Sequence, residues 1–345
     1  MRLESPLTNS MKEASFARVS ACSGVLDRVR RVHVTLASGA SKVGSIGYGL
    51  DRPVEGAFAA LLEALCRSDA YKIAIDVPSA VASDSGEAMG PVPQYDLTLA
   101  LGAWKRAHFL MPATAKMGAK RLVPIGLEIA TAISSASKRP NLAAPQPDSH
   151  KYRRGLLAVV AGAMPGAPLL AAKAAMRAGA GYTKLLSEHS HPDAPAELVI
   201  EGDAFDQALA DDRIDTVLIG PGLGREEAAS RKLTAVLNAG KPSVLDADAL
   251  YLLTPDRLDP QTNPTLILTP HEGELSSLCS SFDISVDNKL DRASTLAEVT
   301  SAFVLAKGPD TVLASPDGRT VFFPRGSSWL STAGTGDVLA GLIAS

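Results

Sequence analysis

Short runs of apolar residues recur through the second half of the chain, and each run ends in a polar or glycine-rich stretch. Runs of this length, bounded by turn residues, predict buried strands. They occupy residues 156–161, 216–219, 243–245, 266–268 and 302–306. The apolar spacing of residues 169–178 instead predicts a helix. Alternating strands and helices favour a parallel sheet, whose loops after the strands meet at one edge. We therefore expect these loops to form one site.

The first half of the chain shows the same alternation with fewer elements. The pattern predicts strands at residues 32–36, 71–77 and 96–102 and a helix at 57–66. Residues 134–150 contain prolines and polar residues without periodicity, which is typical of a linker. We expect a first domain at 1–136, a linker at 137–150 and a second domain at 151–345. Two further apolar runs, 311–314 and 320–323, flank Pro316-Asp317-Gly318 and predict a hairpin beside the site.

Composition and charge exclude several classes of function. Of the 345 residues, 46% are hydrophobic and 21% are charged, and the formal net charge of −3 offers no basic excess for nucleic acid or an anionic membrane. Cys22, Cys66 and Cys279 lie too far apart for a metal or redox motif, so a reduced, cytoplasmic setting is expected. The charged N-terminus, with Arg2 and Glu4, predicts neither a signal peptide nor a membrane anchor.

The most informative stretch is Ser-Thr-Ala-Gly-Thr-Gly-Asp at residues 331–337, which precedes an apolar run at 338–344. The run predicts a helix, and Gly334, Thr335 and Gly336 would leave the N–H groups of its first turn open to an anion. Beside a bound phosphate, a carboxylate is useful if it takes a proton from a reacting hydroxyl. Asp337 is therefore a candidate general base. The alternative is an ordinary helix start in which Asp337 only complements the helix dipole.

Four further motifs lie after predicted strands, and each has a functional and a structural interpretation. Gly-Pro-Gly-Leu-Gly at 220–224 allows close approach to a phosphate or a flat ring, although a tight strand-to-helix turn is the favoured interpretation. Asp246 and Asp248 could position a hydroxyl or a metal-bound water, or cap a helix. His271 is interpreted as a substrate contact, since no second histidine stands at metal-ligand spacing. Lys307 is either a nucleotide contact or a solvated strand end.

Taken together, the order of these motifs is more specific than any one of them. Gly-Pro-Gly-Leu-Gly, Leu-Asp-Ala-Asp-Ala-Leu, Leu-Thr-Pro-His-Glu-Gly-Glu, Lys-Gly and Gly-Thr-Gly-Asp follow one another between residue 150 and the end of the chain. This region resembles the ribokinase-like ADP- or ATP-dependent NAD(P)H-hydrate dehydratases, and the resemblance implies a three-layer α/β/α domain. It implies hydrate contacts at Ala167, Gly222, His271 and Asp337, and adenine-nucleotide contacts at Lys307, Gly308, Pro309, Asp310, Thr311 and Gly336.

Residues 47–126 resemble the later part of the NAD(P)H-hydrate epimerase domain, an incomplete Rossmann-like α/β domain. The resemblance rests on the stretches at 49–56, 75–79 and 96–105. It implies that Asp76 and Ser79 are the remnant of the epimerase site and that Ser79 binds potassium. The asparagine- and glycine-rich loop of that family is not found upstream, and Ala80 stands where the family has glycine. Epimerase activity is therefore left open, and the sequence is expected to be truncated at both ends.

The resemblance implies repair of a hydrated nicotinamide cofactor. The ring hydroxyl of NADHX or NADPHX would be phosphorylated by ADP or ATP, with Mg²⁺, and phosphate would then be eliminated to restore NADH or NADPH. The implied partners are these small molecules, without nucleic acid or membrane, and a homo-oligomer is compatible with the sequence. Two alternatives stay open, namely a ribokinase-like small-molecule kinase and a non-catalytic nucleotide-binding subunit.

Overall fold

A computed structural model describes residues 32–36, 41–46, 52–127, 132–189, 191–202, 205–258 and 265–345. The chain divides into two compact units, Met1–Thr131 and Ala132–Ser345. In the described part of the chain, none of the helices combines the length and the apolar character needed to span a bilayer.

The first unit contains a five-stranded sheet in the order β1-β2-β3-β4-β5. Its strands are β1 (Val32–Leu36), β2 (Ser41–Ile46), β3 (Tyr71–Ile75), β4 (Leu97–Leu101) and β5 (Ala119–Val123), and its helix is α1 (Gly56–Cys66). The β1 and β2 strands pair antiparallel, whereas β2, β3, β4 and β5 pair parallel. Leu62 and Leu65 of α1 are buried. The predicted strands and helix are confirmed to within two residues at each end.

The second unit is built on a ten-stranded sheet in the order β6-β15-β14-β13-β12-β11-β10-β7-β8-β9. Its strands are β6 (Ser134–Ala136), β7 (Leu156–Val160), β8 (Tyr182–Leu186), β9 (Val199–Glu201), β10 (Thr216–Ile219), β11 (Ser243–Leu245), β12 (Leu266–Leu268), β13 (Phe303–Ala306), β14 (Val312–Ala314) and β15 (Thr320–Phe322). Its helices are α2 (Gly166–Ala178), α3 (Phe205–Leu209), α4 (Glu227–Asn238), α5 (Asp248–Leu252), α6 (Glu272–Ser281), α7 (Lys289–Thr300) and α8 (Thr335–Ala344).

Helices cover both faces of this sheet, because its central strands are apolar on both sides. Every residue of β7 is buried, and alternate residues of a strand point to opposite faces. Leu156, Ala158 and Val160 pack in a core with α4, α5, α6 and α7, while Leu157 and Val159 pack with α2 and α8. The second unit is therefore a three-layer α/β/α domain.

The boundary between the units differs from the prediction. Residues 134–136 were expected to end the first domain, but β6 pairs in parallel with β15 through Ser134–Thr320, Ser135–Val321 and Ala136–Phe322. These residues therefore extend the second sheet. The hairpin of β14 and β15 is confirmed, and it pairs antiparallel as expected.

Helices α2 and α8 pack closely against each other, and this contact determines where α8 begins. A Cβ atom at Gly341 would lie only 2.2 Å from the carbonyl oxygen of Ala171. Only glycine allows the two backbones to approach this closely. The start of α8 is therefore held at one position relative to α2.

Candidate active site

The carboxyl ends of five neighbouring parallel strands form one edge of the second sheet. These strands, β7, β10, β11, β12 and β13, pair in parallel with one another in the order given by the sheet. Ligands of open α/β sheets bind outside this edge. The loops singled out in the sequence follow these strands, and they lie at this edge as predicted.

The first turn of α8 opens toward the ammonium group of Lys307. Gly334 precedes the helix with φ of 86°, and a Cβ atom there would lie 2.6 Å from Leu170 Cδ2. A Cβ atom built on Gly336 would lie 3.6 Å from Lys307 Nζ and 3.9 Å from Asp246 Oδ2. The space above Gly336 is therefore lined by first-turn N–H groups and a lysine, which are groups that bind phosphate. We name this space, bounded by Gly336, Lys307 and Asp246, the anion cradle.

Lys307 is fixed by buried acidic residues. Its Nζ donates to Asp246 Oδ1 at 2.6 Å and lies 3.9 Å from Glu274 Oε2. Asp246 is 2% exposed, and Thr269 Oγ1 donates to the same Oδ1 at 2.7 Å. Lys307 is therefore neither a solvated strand end nor a freely moving side chain.

Asp337 is the third residue of α8 and is half-buried. Burial raises the pKa of its carboxyl, the negative charge of Asp246 raises it further, and Lys307 opposes the rise. A carboxylate that only complemented the helix dipole would have a lowered pKa. The N-cap position belongs to Gly334. The environment of Asp337 therefore fits a proton acceptor better than a helix-capping residue.

His271 has a clear structural role at the start of α6. Its Nδ1 accepts hydrogen bonds from the backbone N–H groups of Gly273 at 3.0 Å and Glu274 at 3.1 Å. In return, the His271 backbone N–H donates to Glu274 Oε2 at 2.8 Å, which completes a capping box. The imidazole itself is exposed, and its Nε2 lies 3.4 Å from Glu274 Oε1.

Glu274 is a site residue that the sequence interpretation missed. It is 5% exposed, and burial raises the pKa of its carboxyl. The signal was present as the acidic residue three positions after His271, the spacing of a capping box, in a loop that follows a strand.

The glycine-rich loop at 220–224 is packed against its neighbours. A Cβ atom at Gly220 would lie 1.7 Å from the Asp246 carbonyl oxygen, and one at Gly222 would lie 2.4 Å from that of Met164. The Met164 N–H donates to the Gly222 carbonyl at 2.9 Å, which joins this loop to the turn before Ala167. Ala167 lies in the first turn of α2 and is half-buried. Tight packing of the two loops thus accounts for the glycines.

The two aspartates after β11 have different partners. Asp248 Oδ2 accepts from the Gly224 N–H at 3.0 Å, and Asp248 Oδ1 accepts from Arg225 Nε at 2.8 Å. Ala247, with φ of 48°, occupies the N-cap position of α5. Asp248 therefore joins two loops, and neither aspartate is the N-cap that the structural interpretation allowed.

Within the predicted nucleotide segment, side chains hold the loop in shape. Asp310 is buried and accepts from Lys289 Nζ at 2.6 Å. Thr311 Oγ1 accepts from the Gly308 N–H at 3.2 Å and donates to the Gly308 carbonyl at 2.8 Å. Gly308 and Pro309 are exposed at the surface of this turn.

In the first unit, Asp76 is already engaged by protein groups. Its Oδ1 accepts from the Leu101 N–H at 3.0 Å and from Lys105 Nζ. Ser79 is 2% exposed, and Ala80 takes the left-handed φ of 62° that favours glycine. The described residues contain no group of three or more side chains suited to a metal, so potassium at Ser79 stays a prediction.

Comparison with solved structures defines the class of fold. A ribokinase-like superfamily protein from Enterococcus faecalis superposes with a TM-score of 0.52 at 21% identity, over 63% of this chain and 81% of that one. An ADP/ATP-dependent NAD(P)H-hydrate dehydratase from Bacillus subtilis superposes with a TM-score of 0.50 at 32% identity, over 59% of this chain and 76% of that one. The second unit is a ribokinase-like domain.

Comparison with sequence families is more specific. A family model described as NAD(P)H-hydrate dehydratase matches residues 157–345, and one described as the YjeF-related protein N-terminus, a Rossmann-like domain, matches residues 44–107. The chain therefore belongs to the NAD(P)H-hydrate dehydratase family.

Curated relatives align with most of this chain. Proteins named bifunctional NAD(P)H-hydrate repair enzyme from Thermofilum pendens and Mycobacterium tuberculosis are 33% and 34% identical to this chain, over 86% and 87% of its length. The chain spans only 62% and 63% of the length of these relatives.

Proposed function

We propose that this protein dehydrates the (6S) hydrate of NADH or NADPH at the expense of an adenine nucleotide. The observation that carries the proposal is the juxtaposition of a half-buried Asp337, whose pKa is raised, with the anion cradle. A poised carboxylate beside a phosphate site is what activation of a hydroxyl for phosphoryl transfer needs. The family match and the shared motif order support the same reaction.

The residues of the second unit would divide the work as follows. Asp337 accepts the proton of the ring hydroxyl, and the hydroxyl oxygen then attacks the terminal phosphorus of the nucleotide. The P–O bond from this phosphorus to the preceding phosphate breaks, which releases ADP from ATP or AMP from ADP. The N–H groups of Gly334, Thr335 and Gly336, together with the Lys307 ammonium, hold the charge that develops on the phosphoryl oxygens. Elimination of the phosphate from the ring, together with a proton from the adjacent ring carbon, then forms the double bond of the reduced nicotinamide.

The anion cradle would offer a terminal phosphate of the nucleotide the Lys307 ammonium and the N–H groups at the start of α8. The Bacillus subtilis relative is ADP/ATP-dependent and was co-crystallised with ATP/Mg²⁺. We expect Mg²⁺ to enter with the nucleotide phosphates and to neutralise part of their charge. We further propose that Lys307 and the backbone from Gly308 to Thr311 contact the nucleotide, and that Ala167, Gly222 and His271 contact the hydrate.

The cysteines in the described part of the chain are consistent with a reducing compartment. Cys66 is exposed, Cys279 is buried, and both are free thiols. Free thiols are typical of proteins that work in the cytoplasm. We therefore expect the reaction to take place there.

The test is recovery of the absorbance band of reduced nicotinamide after the protein is mixed with NADHX, Mg²⁺ and either ADP or ATP. Phosphate release is followed in parallel. Equal amounts of NADH and phosphate support the proposal, and the faster nucleotide identifies the co-substrate. A phosphorylated product that accumulates without NADH would instead support a small-molecule kinase.

Two variants sharpen this test. Asp337→Asn is expected to lower turnover by about 10²–10⁴, whereas Asp287→Asn, which alters an exposed aspartate before α7, is expected to retain it. Nucleotide binding without any NADH or phosphate from the unaltered protein would refute the proposal in favour of a binding subunit.

A further inference from the structure

We propose that Asp246 is a positioning residue of this site, which fixes the Lys307 ammonium beside Gly336 and places a second negative charge next to the Asp337 carboxyl. The role assigned to Asp246 rests on the proposed function, since Lys307 and Asp337 take their roles from it. Asp246 is not among the residues that the family resemblance implies as contacts of the hydrate or of the nucleotide.

The contacts of the Asp246 carboxylate are directed at the anion cradle. Its Oδ1 accepts from Lys307 Nζ at 2.6 Å and from Thr269 Oγ1 at 2.7 Å, so two donors fix the orientation of the carboxylate. Its Oδ2 lies on the side of Gly336, 3.9 Å from where a Cβ atom would stand. Asp246 is 2% exposed and the Lys307 side chain is 17% exposed, so their interaction is poorly screened by water. A lysine held in this way needs little reorganisation when a phosphate binds.

The backbone around Asp246 is held as firmly as its side chain. The Asp246 N–H donates to the Ile219 carbonyl at 3.1 Å, and the Asp246 carbonyl lies where a side chain of Gly220 would stand. Ala247 follows with φ of 48° and ψ of −122°, a conformation that strains a residue with a side chain. Strained backbone of this kind persists where the surrounding structure fixes it, and it is frequent at functional sites.

The same carboxylate acts on Asp337 through space. The pKa of Asp337 is raised by burial and by Asp246, and it is lowered by Lys307. Glu274 of α6 lies 3.9 Å from Lys307, and the exposed His271 stands next to Glu274. Loss of the Asp246 charge would remove a repulsion from the Asp337 carboxylate, so Asp337 would bind its proton less tightly.

The experiment is a double-mutant cycle of Asp246→Asn and Lys307→Gln, because asparagine keeps the shape of aspartate and an acceptor for Thr269. We expect Asp246→Asn to lower kcat roughly 100-fold, the loss typical of a misplaced catalytic group. At a pH well above the titration of Asp337, where its carboxyl is ionised in every variant, we expect the double variant to be within about twofold of Lys307→Gln alone, because Asp246 then affects kcat through Lys307. The double variant removes both members of the Asp246–Lys307 ion pair, so it leaves neither of them buried without the other and tests the role of Asp246 even if Asp246→Asn folds poorly.

The matched control is Asp248→Asn, since Asp248 lies two residues away and pairs with Arg225 instead of Lys307. Its effect on kcat is expected to multiply with that of Lys307→Gln. If the effects of Asp246→Asn and Lys307→Gln also multiply, Asp246 has only a structural role and the proposal is wrong.

A second readout does not depend on turnover. The Asp337 carboxyl is titrated by NMR in protein labelled with ¹³C at aspartate carboxyls, and its signal is assigned by its loss in Asp337→Asn. We expect the titration to move to lower pH in Asp246→Asn, and an unchanged titration would overturn the proposal. If the unaltered protein does not convert NADHX, the proposed function fails while this titration still decides the role of Asp246.

Discussion

Substitution of Gly336 by alanine should separate the stability of this protein from its function. Gly336 is the second residue of α8, and a methyl group there would stand 3.6 Å from Lys307 Nζ and 3.9 Å from Asp246 Oδ2. Both distances are ordinary van der Waals contacts, so the folded protein can accept the methyl group. The methyl group would nevertheless occupy the anion cradle.

The effect on stability follows from the helical position. In a helix interior, alanine is favoured over glycine by about 0.8–1 kcal/mol, and the first turn realises part of this difference. A gain of up to about 1 kcal/mol corresponds to a rise in Tm of roughly 2–4 °C for a domain of this size. We therefore expect Gly336→Ala to be as stable as the unaltered protein or slightly more stable.

The effect on nucleotide binding has the opposite sign. A phosphate oxygen displaced by the methyl group loses a hydrogen bond to a charged group, which contributes about 1.5–3 kcal/mol. This loss corresponds to an affinity for ADP that is roughly 10- to 150-fold weaker. The measurement combines calorimetric titration with ADP and Mg²⁺ and a thermal unfolding curve for the same preparation.

Gly341→Ala provides the matched control on the same helix. Its Cβ atom would lie 2.2 Å from the Ala171 carbonyl oxygen, so α2 and α8 must move apart. Overpacking of this kind typically destabilises a protein by about 1–3 kcal/mol.

Unchanged ADP affinity in a folded Gly336→Ala protein would show that no phosphate occupies the anion cradle, and the assignment of the nucleotide site would be wrong.

Three further predictions concern single groups. Asp337→Asn should lower kcat by about 10²–10⁴ while leaving ADP affinity unchanged. In the unaltered protein, kcat should decrease as the pH is lowered and Asp337 takes up a proton. Because the pKa of Asp337 is raised, this decrease should occur at a pH above the ordinary titration range of an aspartate. Ala247→Gly should raise the free energy of unfolding by about 1–3 kcal/mol in denaturant titration, because it relieves the strained φ of 48°. Lys184→Met should lower that free energy by about 1.5–3 kcal/mol, because the buried Lys184 donates to Glu201 and Asp211 at 2.9 Å each while Asp211 keeps Arg213 as a partner. Arg213 and Lys184 lower the pKa of Asp211 in the folded protein, so this stabilisation should be complete at neutral pH and be lost as the pH falls through the ordinary aspartate range and below it.

The strands were readable from the sequence because their apolar runs are short and their flanks are polar. Residues 216–219, 243–245 and 266–268 coincide with β10, β11 and β12 as predicted. The start of α2 was predicted three residues late. The helix includes Gly166 and Pro168, which look like turn residues, but proline is tolerated in a first turn, where the N–H has no helical partner.

Other elements depend on partners that are distant in sequence. The Ser-Ser-Ala segment of β6 has no apolar pattern, and it becomes a strand by pairing with β15, more than 180 residues later, where Ser134 Oγ and Thr320 Oγ1 also share a hydrogen bond. Strand propensity is weak compared with such pairing. From the sequence alone this segment is placed at the end of the first domain, whereas the fold places it in the second sheet beside β15.

The choice among the carboxylates of the site also needed the fold. The sequence placed Asp246, Asp248 and Asp337 in loops or helix starts at one edge, and it offered a catalytic and a structural interpretation for each. The structure distinguishes them by their partners, since Asp246 is paired with Lys307 and Asp248 is paired with Arg225. The Asp337 carboxyl is instead half-buried and close enough to Asp246 to be repelled by its negative charge, and both effects raise its pKa. When neighbouring carboxyl groups have different pKa values because their environments differ, the difference indicates which one acts as the acid or base and which ones position other groups. The difference in pKa arises from burial and from the ion pair of Asp246 with Lys307, which lie 61 residues apart in the sequence. It is therefore a property of the folded site and not of any one motif.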